Sequence, residues 1–166
     1  MRLNRMNLFE DLGLNNELLE AIKGLGHTKP TQIQQKSIPL IIWGKDVVGE
    51  SATGSGKTLV FGCGVFEQTA RKKGLQALIL APTRELADQV KESLKKITQK
   101  KELNIVTVYG GVSINTQIQN LPNADVVIGT PGRLLDHMNK GTIDLSKIKL
   151  LVLDEADRML DMGFIE

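Results

Sequence analysis

Ser51-Ala52-Thr53-Gly54-Ser55-Gly56-Lys57-Thr58 follows the short apolar run Asp46-Val47-Val48-Gly49 and precedes Leu59 to Ala70, which reads as a helix. Strand, glycine-rich turn and helix in that order make a phosphate cradle. Gly54 and Gly56 let the backbone curl so that successive N–H groups point inward at an anion. The helix that follows adds the positive end of its dipole. Lys57 is placed to reach the β- and γ-phosphates, and the Thr58 hydroxyl to ligate Mg²⁺. Ser51 stands where the first glycine of the P-loop pattern is expected, so the match is incomplete. An ordinary turn capping a helix is the competing reading, and Gly-Lys-Thr after a strand argues against it. The loop reads as a binding site for a nucleoside triphosphate.

The chain around this loop has 166 residues, which is one domain with room for a core. Hydrophobic residues make up 41% and charged residues 24%, as in a soluble globular protein. A net charge of +2 is too small to argue for nucleic acid, so any such contact must be local. The single cysteine, Cys63, cannot form an internal disulfide and fits a reducing compartment as a buried, inert thiol. Met1 to Asp11 lacks the apolar core of a signal peptide, and no run reaches membrane-spanning length. These features predict a cytoplasmic or otherwise intracellular protein without a membrane partner.

Residues 1–45 read as an N-terminal helical region and 46–166 as an ATP-binding core. Phe9 to Gly26 reads as one amphipathic helix, capped by Asn15 or Asn16, with Leu18, Leu19, Ile22 and Leu25 on one side. A second helix starts at Thr31, is interrupted by Pro39 and ends at Gly44. Beyond the loop, Ala77–Ala81, Ile105–Tyr109, Val126–Gly129 and Leu150–Leu153 are continuous apolar runs. Such runs are expected of strands buried on both faces of a parallel sheet. Arg84–Lys100, Ser113–Leu121 and Pro131–Asn139 lie between them with helical length. The alternation predicts a three-layer α/β/α fold with a mostly parallel sheet and ligands at the carboxyl ends of its strands. Polar or glycine-rich clusters do follow every strand: Ser51–Thr58, Pro82-Thr83-Arg84-Glu85, Gly110-Gly111, Thr130-Pro131-Gly132-Arg133 and Asp154-Glu155-Ala156-Asp157.

Leu150 to Glu155 is an apolar strand ending in two carboxylates. Beside a phosphate cradle, Asp154 reads as the metal ligand and Glu155 as the general base that polarises water. The bland reading, acids at a helix N-terminus, accounts for one of them. Thr31-Gln32-Ile33-Gln34 is open between a capping box and a Gln34 amide that reads an adenine edge, with local sequence favouring the cap. The clusters at Pro82–Glu85 and Thr130–Arg133 are open between N-capping with solvated arginines and phosphate-backbone contact.

Taken together, the chain from about Phe9 onward resembles the DEAD-box RNA helicases. Asp154–Asp157 spells that family's name, and Ser51–Thr58 is similar to its motif I and Pro82–Ala87 to its motif Ia. Gly110-Gly111 and Thr130–Arg133 resemble its further RNA-contact motifs, and Gly26–Gln34 its Q motif, with Phe9 as the upstream aromatic. The resemblance implies a RecA-like domain that binds ATP and Mg²⁺ and contacts RNA through its backbone. It implies ATP contacts from His27, Lys29, Gln34, Thr53, Gly54, Ser55, Gly56, Lys57 and Thr58, with Gln34 now assigned to adenine. Catalysis falls to Lys57 and Glu155, and the metal to Thr58 and Asp154. RNA contact falls to Pro82, Thr83, Arg84, Gly110, Gly111, Thr130, Pro131, Gly132 and Arg133, and a contact between motifs to Asp157.

Three departures qualify these expectations. His27 stands where the family has a phenylalanine or tyrosine that stacks on adenine, which predicts weaker nucleotide affinity. Ser51-Ala52 varies the start of motif I, with little expected effect. The sequence given stops at Glu166, before the family's Ser-Ala-Thr motif and its second RecA-like domain, the expected partner. The expectation is a fragment with a strand missing between Val47–Gly49 and Leu150–Leu153, which is near-inactive in ATP hydrolysis and self-associates through its incomplete sheet. An ATP- and RNA-binding module without helicase activity is the alternative.

Overall fold

In the computed structural model, which describes residues 8–164, four short strands form one parallel sheet. They are β1 (Ala77–Leu80), β2 (Ile105–Val108), β3 (Val126–Gly129) and β4 (Leu150–Leu153), ordered β2-β3-β1-β4. Register pairs Leu78 with Val127 on one side and with Leu151 on the other. Each strand coincides with a continuous apolar run of the sequence, two of them one residue shorter than expected.

Helices cover both faces. α1 (Asn16–Gly24), α2 (Gln32–Ile42), α3 (Lys57–Gln68) and α4 (Arg84–Ile97) pack on the face that carries Ala77, Ile79, Val126 and Ile128. α5 (Ile114–Asn120) and α6 (Pro131–Asn139) flank the other, where Leu121 and Leu134 meet Leu78, Val106 and Val127. Within α3, Cys63, Val65 and Phe66 are fully buried. A Cβ on Gly62 would lie 2.7 Å from Ile97 and one on Gly64 3.1 Å from Ile41, so α3 approaches α4 and α2 through its two glycines. α7 (Ala156–Asp161) follows β4 directly.

Four expectations need correction. Phe9–Gly26 is not one helix but a 3₁₀ turn, Phe9–Leu12, and then α1; Gly13 at φ +82° breaks it and the Asn15 side chain accepts from Leu18 N–H at 2.9 Å to start α1. Pro39 does not interrupt α2, because Ile38 and Ile41 on either side of it are buried and hold the helix in register. Arg84–Lys100 ends at Ile97, where the Thr98 hydroxyl bonds back to Leu94 O at 2.8 Å. The predicted strand Val47–Gly49 has no paired neighbour and is not a strand; Val48 is fully exposed at 102%.

That last correction shapes the site. β4 is an edge strand, and a cavity of about 620 Å³ separates it from the extended segment Asp46–Ser51. The gap expected beside β4 is therefore present, with the loop segment on its far side. β4 is also not buried on both faces: Leu151 and Leu153 are 57% and 53% exposed, on the face where Leu78 and Leu80 are covered.

Candidate functional site

Gly56 starts the site. Its φ of +90° is a left-handed conformation at the N-cap of α3, open to glycine at low cost. A Cβ there would meet Gln34 Nε2 at 2.2 Å, so any other residue would also push the Gln34 amide out of its place. The Gln34 amide donates to Gly56 O at 3.1 Å, and Thr31 Oγ1 donates to Ser55 O at 2.8 Å. Ser51 and Ser55 hydroxyls lie 2.6 Å apart, and Lys57 Nζ donates to Ser51 O at 2.7 Å. Ser51 thus closes the loop that it opens, through its backbone carbonyl and its hydroxyl. An anion that engages Lys57 competes with that carbonyl.

Asp154 and Glu155 stand at the carboxyl end of β4. The Asp154 N–H continues the ladder to Leu80 O at 2.9 Å, which fixes the backbone that carries the acid. Burial, and then the neighbouring Glu155 charge, push the Asp154 carboxyl above the ordinary carboxylate range; Lys57 opposes them. Glu155 takes a left-handed backbone at φ +51°, a strained position for a non-glycine residue, and Arg158 donates to its carboxylate at 3.3 Å. Lys57, Asp154, Glu155 and Asp157 all line the cavity beside β4. No cluster of three metal-binding side chains occurs among the described residues. Mg²⁺ needs none, since it takes one or two carboxylates plus phosphate oxygens and keeps its other waters. A carboxyl disfavoured in its charged form by burial and by a second acid fits such a cation.

The Q-motif segment serves the loop. Both halves of the capping box form, with Gln34 Oε1 accepting from Thr31 N–H at 2.9 Å. Gln34 is 2% exposed, and its amide is divided between the cap and the Gly56 carbonyl. The capping reading is thus present, and the same side chain reaches the cradle. His27 and Lys29 are exposed and do not line the cavity; the His27 ring lies 6.4 Å from that of Phe9, tilted by 58°.

Strand order sets the remaining clusters in a row along one edge: Gly110-Gly111, Thr130–Arg133, Pro82–Glu85 and Asp154–Asp157. Thr83 is the N-cap of α4 and accepts from Leu86 N–H at 3.2 Å. Neither arginine is simply solvated. The Arg84 guanidinium lies 5.1 Å over the Tyr109 ring, and Arg133, 14% exposed, donates to Val112 O at 3.1 Å and pairs with Asp136. Both therefore hold the loop that carries Gly110 and Gly111. Sequence reading missed the residues behind that loop, Asp88, Tyr109, Gln117 and His137. A polar residue buried one layer beneath a loop leaves no periodicity to read.

Among known proteins, the family model for the DEAD/DEAH box helicases matches residues 31–166. A DEAD-box ATP-dependent RNA helicase CshA of Geobacillus kaustophilus is 47% identical over 97% of this chain and 35% of its own length. A probable ATP-dependent RNA helicase of Methanocaldococcus jannaschii is 46% identical over 100% of this chain and 45% of its own. The crystal structure of a DEAD box protein from Methanococcus jannaschii superposes with a TM-score of 0.92 at 47% identity, over 97% of this chain and 44% of that one. A hypothetical ATP-dependent RNA helicase from Sulfolobus tokodaii gives 0.83 at 41% identity, over 92% and 44%. The chain thus spans between a third and a half of the length of these relatives.

Proposed function

The chain belongs to the DEAD/DEAH box helicase family, with its RecA-like fold, and we propose that it binds ATP with Mg²⁺ as the nucleotide-binding domain of an ATP-dependent RNA helicase. The observation that supports this best is the convergence of Lys57, Asp154 and Glu155 on one cavity beside the Gly54–Thr58 turn. In this reading Thr53 to Lys57 hold the phosphates by backbone N–H groups and the α3 dipole, and Lys57 carries the charge of the β- and γ-phosphates. Thr58 and Asp154 hold the cation, which neutralises charge on the transferring phosphoryl group. Glu155 accepts the proton of the attacking water. Gln34, tied to Gly56, reports the base to the phosphate loop, with His27 and Lys29 at the adenine side. The row from Gly110 to Arg133, with Pro82, Thr83 and Arg84, takes the phosphate backbone of one RNA strand. Asp157, which lines the same cavity, is assigned in this reading to contact between motifs. A second RecA-like domain closes over both ligands.

A second reading, an ATP- and RNA-binding module without turnover, is favoured by one observation: the edge of β4 that carries both acids faces an open gap. Phosphate release, measured with and without single-stranded RNA on the wild type and on Glu155→Gln, separates the two. RNA-stimulated turnover that the variant loses supports the enzyme. ATP binding with release no faster than that of the variant supports the module. No ATP binding at all overturns both.

A further inference from the structure

Behind the edge of polar clusters runs a line of buried polar side chains to which no role has been given above. His137, on α6, is 0% exposed and Gln117, on α5, 5%. His137 Nδ1 lies 2.9 Å from Thr142 Oγ1, and its Nε2 lies 3.0 Å from Gln117 Oε1. Gln117 Nε2 donates to the backbone carbonyl of Tyr109 at 2.9 Å. That last bond orients the whole line: with the Gln117 amide nitrogen spent on a carbonyl, its oxygen must accept, so His137 carries its proton on Nε2. Burial and the Arg133 charge hold His137 below its ordinary value, against the opposing Asp136, which favours this neutral form.

The line ends at a functional place. The Tyr109 carbonyl immediately precedes Gly110, and the Tyr109 hydroxyl donates to Asp88 of α4 at 2.9 Å. On the far side of the glycines, Val112 O accepts from Arg133 at 3.1 Å. Gly110-Gly111 is therefore clamped on both flanks, by Gln117 before it and by Arg133 after it, and both clamps lead to α6.

We propose that His137 and Gln117 are positioning residues for RNA binding: through Gln117, His137 fixes the Tyr109 carbonyl and so sets the Gly110-Gly111 turn against the start of α6. This rests on the backbone-binding reading of that edge. Being fully buried, His137 touches no RNA and acts only through the turn. A merely packed histidine predicts a different outcome, because its loss lowers stability without separating RNA affinity from ATP affinity.

The test uses this chain with a fluorescein-labelled single-stranded oligouridine at low salt, read by anisotropy, beside calorimetric titration of ATP and amide hydrogen exchange at Gly110 and Gly111. His137→Leu strands the Gln117 amide and is expected to weaken RNA roughly tenfold and to speed exchange at both glycines roughly tenfold. ATP affinity is expected to stay unchanged. His137→Gln places an amide donor near the Nε2 position and is expected to restore both signals. Should His137→Leu fail to fold, Gln117→Met removes the tie from the α5 side and is read by the same measurements. Unchanged RNA affinity with the turn still protected overturns the proposal, as does an equal loss in His137→Leu and His137→Gln. If the wild type does not bind the oligouridine, the backbone-binding reading fails, and exchange at the two glycines alone decides whether His137 holds the turn.

Discussion

Replacing Gln34 with alanine removes the side chain that joins the Q-motif helix to the phosphate loop. The wild-type residue is 2% exposed, accepts from Thr31 N–H at 2.9 Å and donates to Gly56 O at 3.1 Å. Thr31 is exposed, so water takes over its N–H, and that bond costs about 0.5–1 kcal/mol. The part-buried Gly56 carbonyl loses its donor at about 1 kcal/mol or more. The one buried methylene that alanine lacks adds about 0.8 kcal/mol in transfer free energy. The sum is about 2.5 kcal/mol, which for a chain of this size lowers Tm by roughly 5–10 °C. Urea and thermal unfolding read the stability, and calorimetric titrations with ATP, ADP and GTP read the base preference. The expectation is a wild type that binds ATP and ADP but not GTP, and a less stable variant without that difference. A loss below about 1 kcal/mol would show that the tie is not made in solution, on the same net hydrogen-bond scale. A full loss of stability with adenine preference intact would leave Gln34 as a cap alone.

Further expectations concern neighbouring groups. Gly56→Ala places a Cβ 2.2 Å from Gln34 Nε2 at a φ of +90°, so backbone strain of about 1–3 kcal/mol adds to the broken tie. ATP affinity should fall at least tenfold by calorimetry, about 1.4 kcal/mol, and an unchanged value would sink the assigned loop geometry. His27→Phe, beside Phe9, should tighten adenosine nucleotides by about 0.5–1.5 kcal/mol; no gain would show that His27 does not stand in for a stacking aromatic. Burial, reinforced by Glu67, pushes the Cys63 thiol up to about 12. The folded state then holds the proton more tightly than the unfolded one, so this group costs stability as pH rises from about 9 towards 12. At pH 8 a thiol reagent should label Cys63 only at the rate of unfolding, and fast labelling of the native chain would contradict its burial.

Legibility in the sequence followed the physics of each segment. The runs at Val126–Gly129 and Leu150–Leu153 are strands to the residue: Val126–Gly129 is buried on both faces inside the parallel sheet, and Leu150–Leu153 keeps the same apolar run although it lies at the sheet edge with one face open. Asp46–Gly49 carries a similar apolar pair and is not a strand, since a strand exists only with a paired neighbour, and none of the described residues supplies one. Pro39 is a helix breaker by propensity, overridden by the buried Ile38 and Ile41. Lys57, Asp154 and Glu155 were readable because the cradle and the acids each follow a short, fixed order. Gln117 and His137 were not, because their partners are 8 and 20 residues away and meet them only when β2, α5 and α6 pack. Arg84 and Arg133 were legible as cations at helix starts, but not as the residues that hold the Tyr109–Val112 loop.

The central claim is that Ser51–Thr58, with Asp154 and Glu155 across one cavity, is a nucleoside-triphosphate site whose phosphate charge is carried by Lys57. Calorimetric titration of ATP with Mg²⁺ into the wild-type chain and into Lys57→Ala tests it most directly. Lys57 is half-buried and donates to Ser51 O, so the variant should fold and lose about 1 kcal/mol of stability with that hydrogen bond. The account predicts saturable binding to the wild type and none measurable to the variant. Equal heats and equal affinity in the two proteins would contradict it.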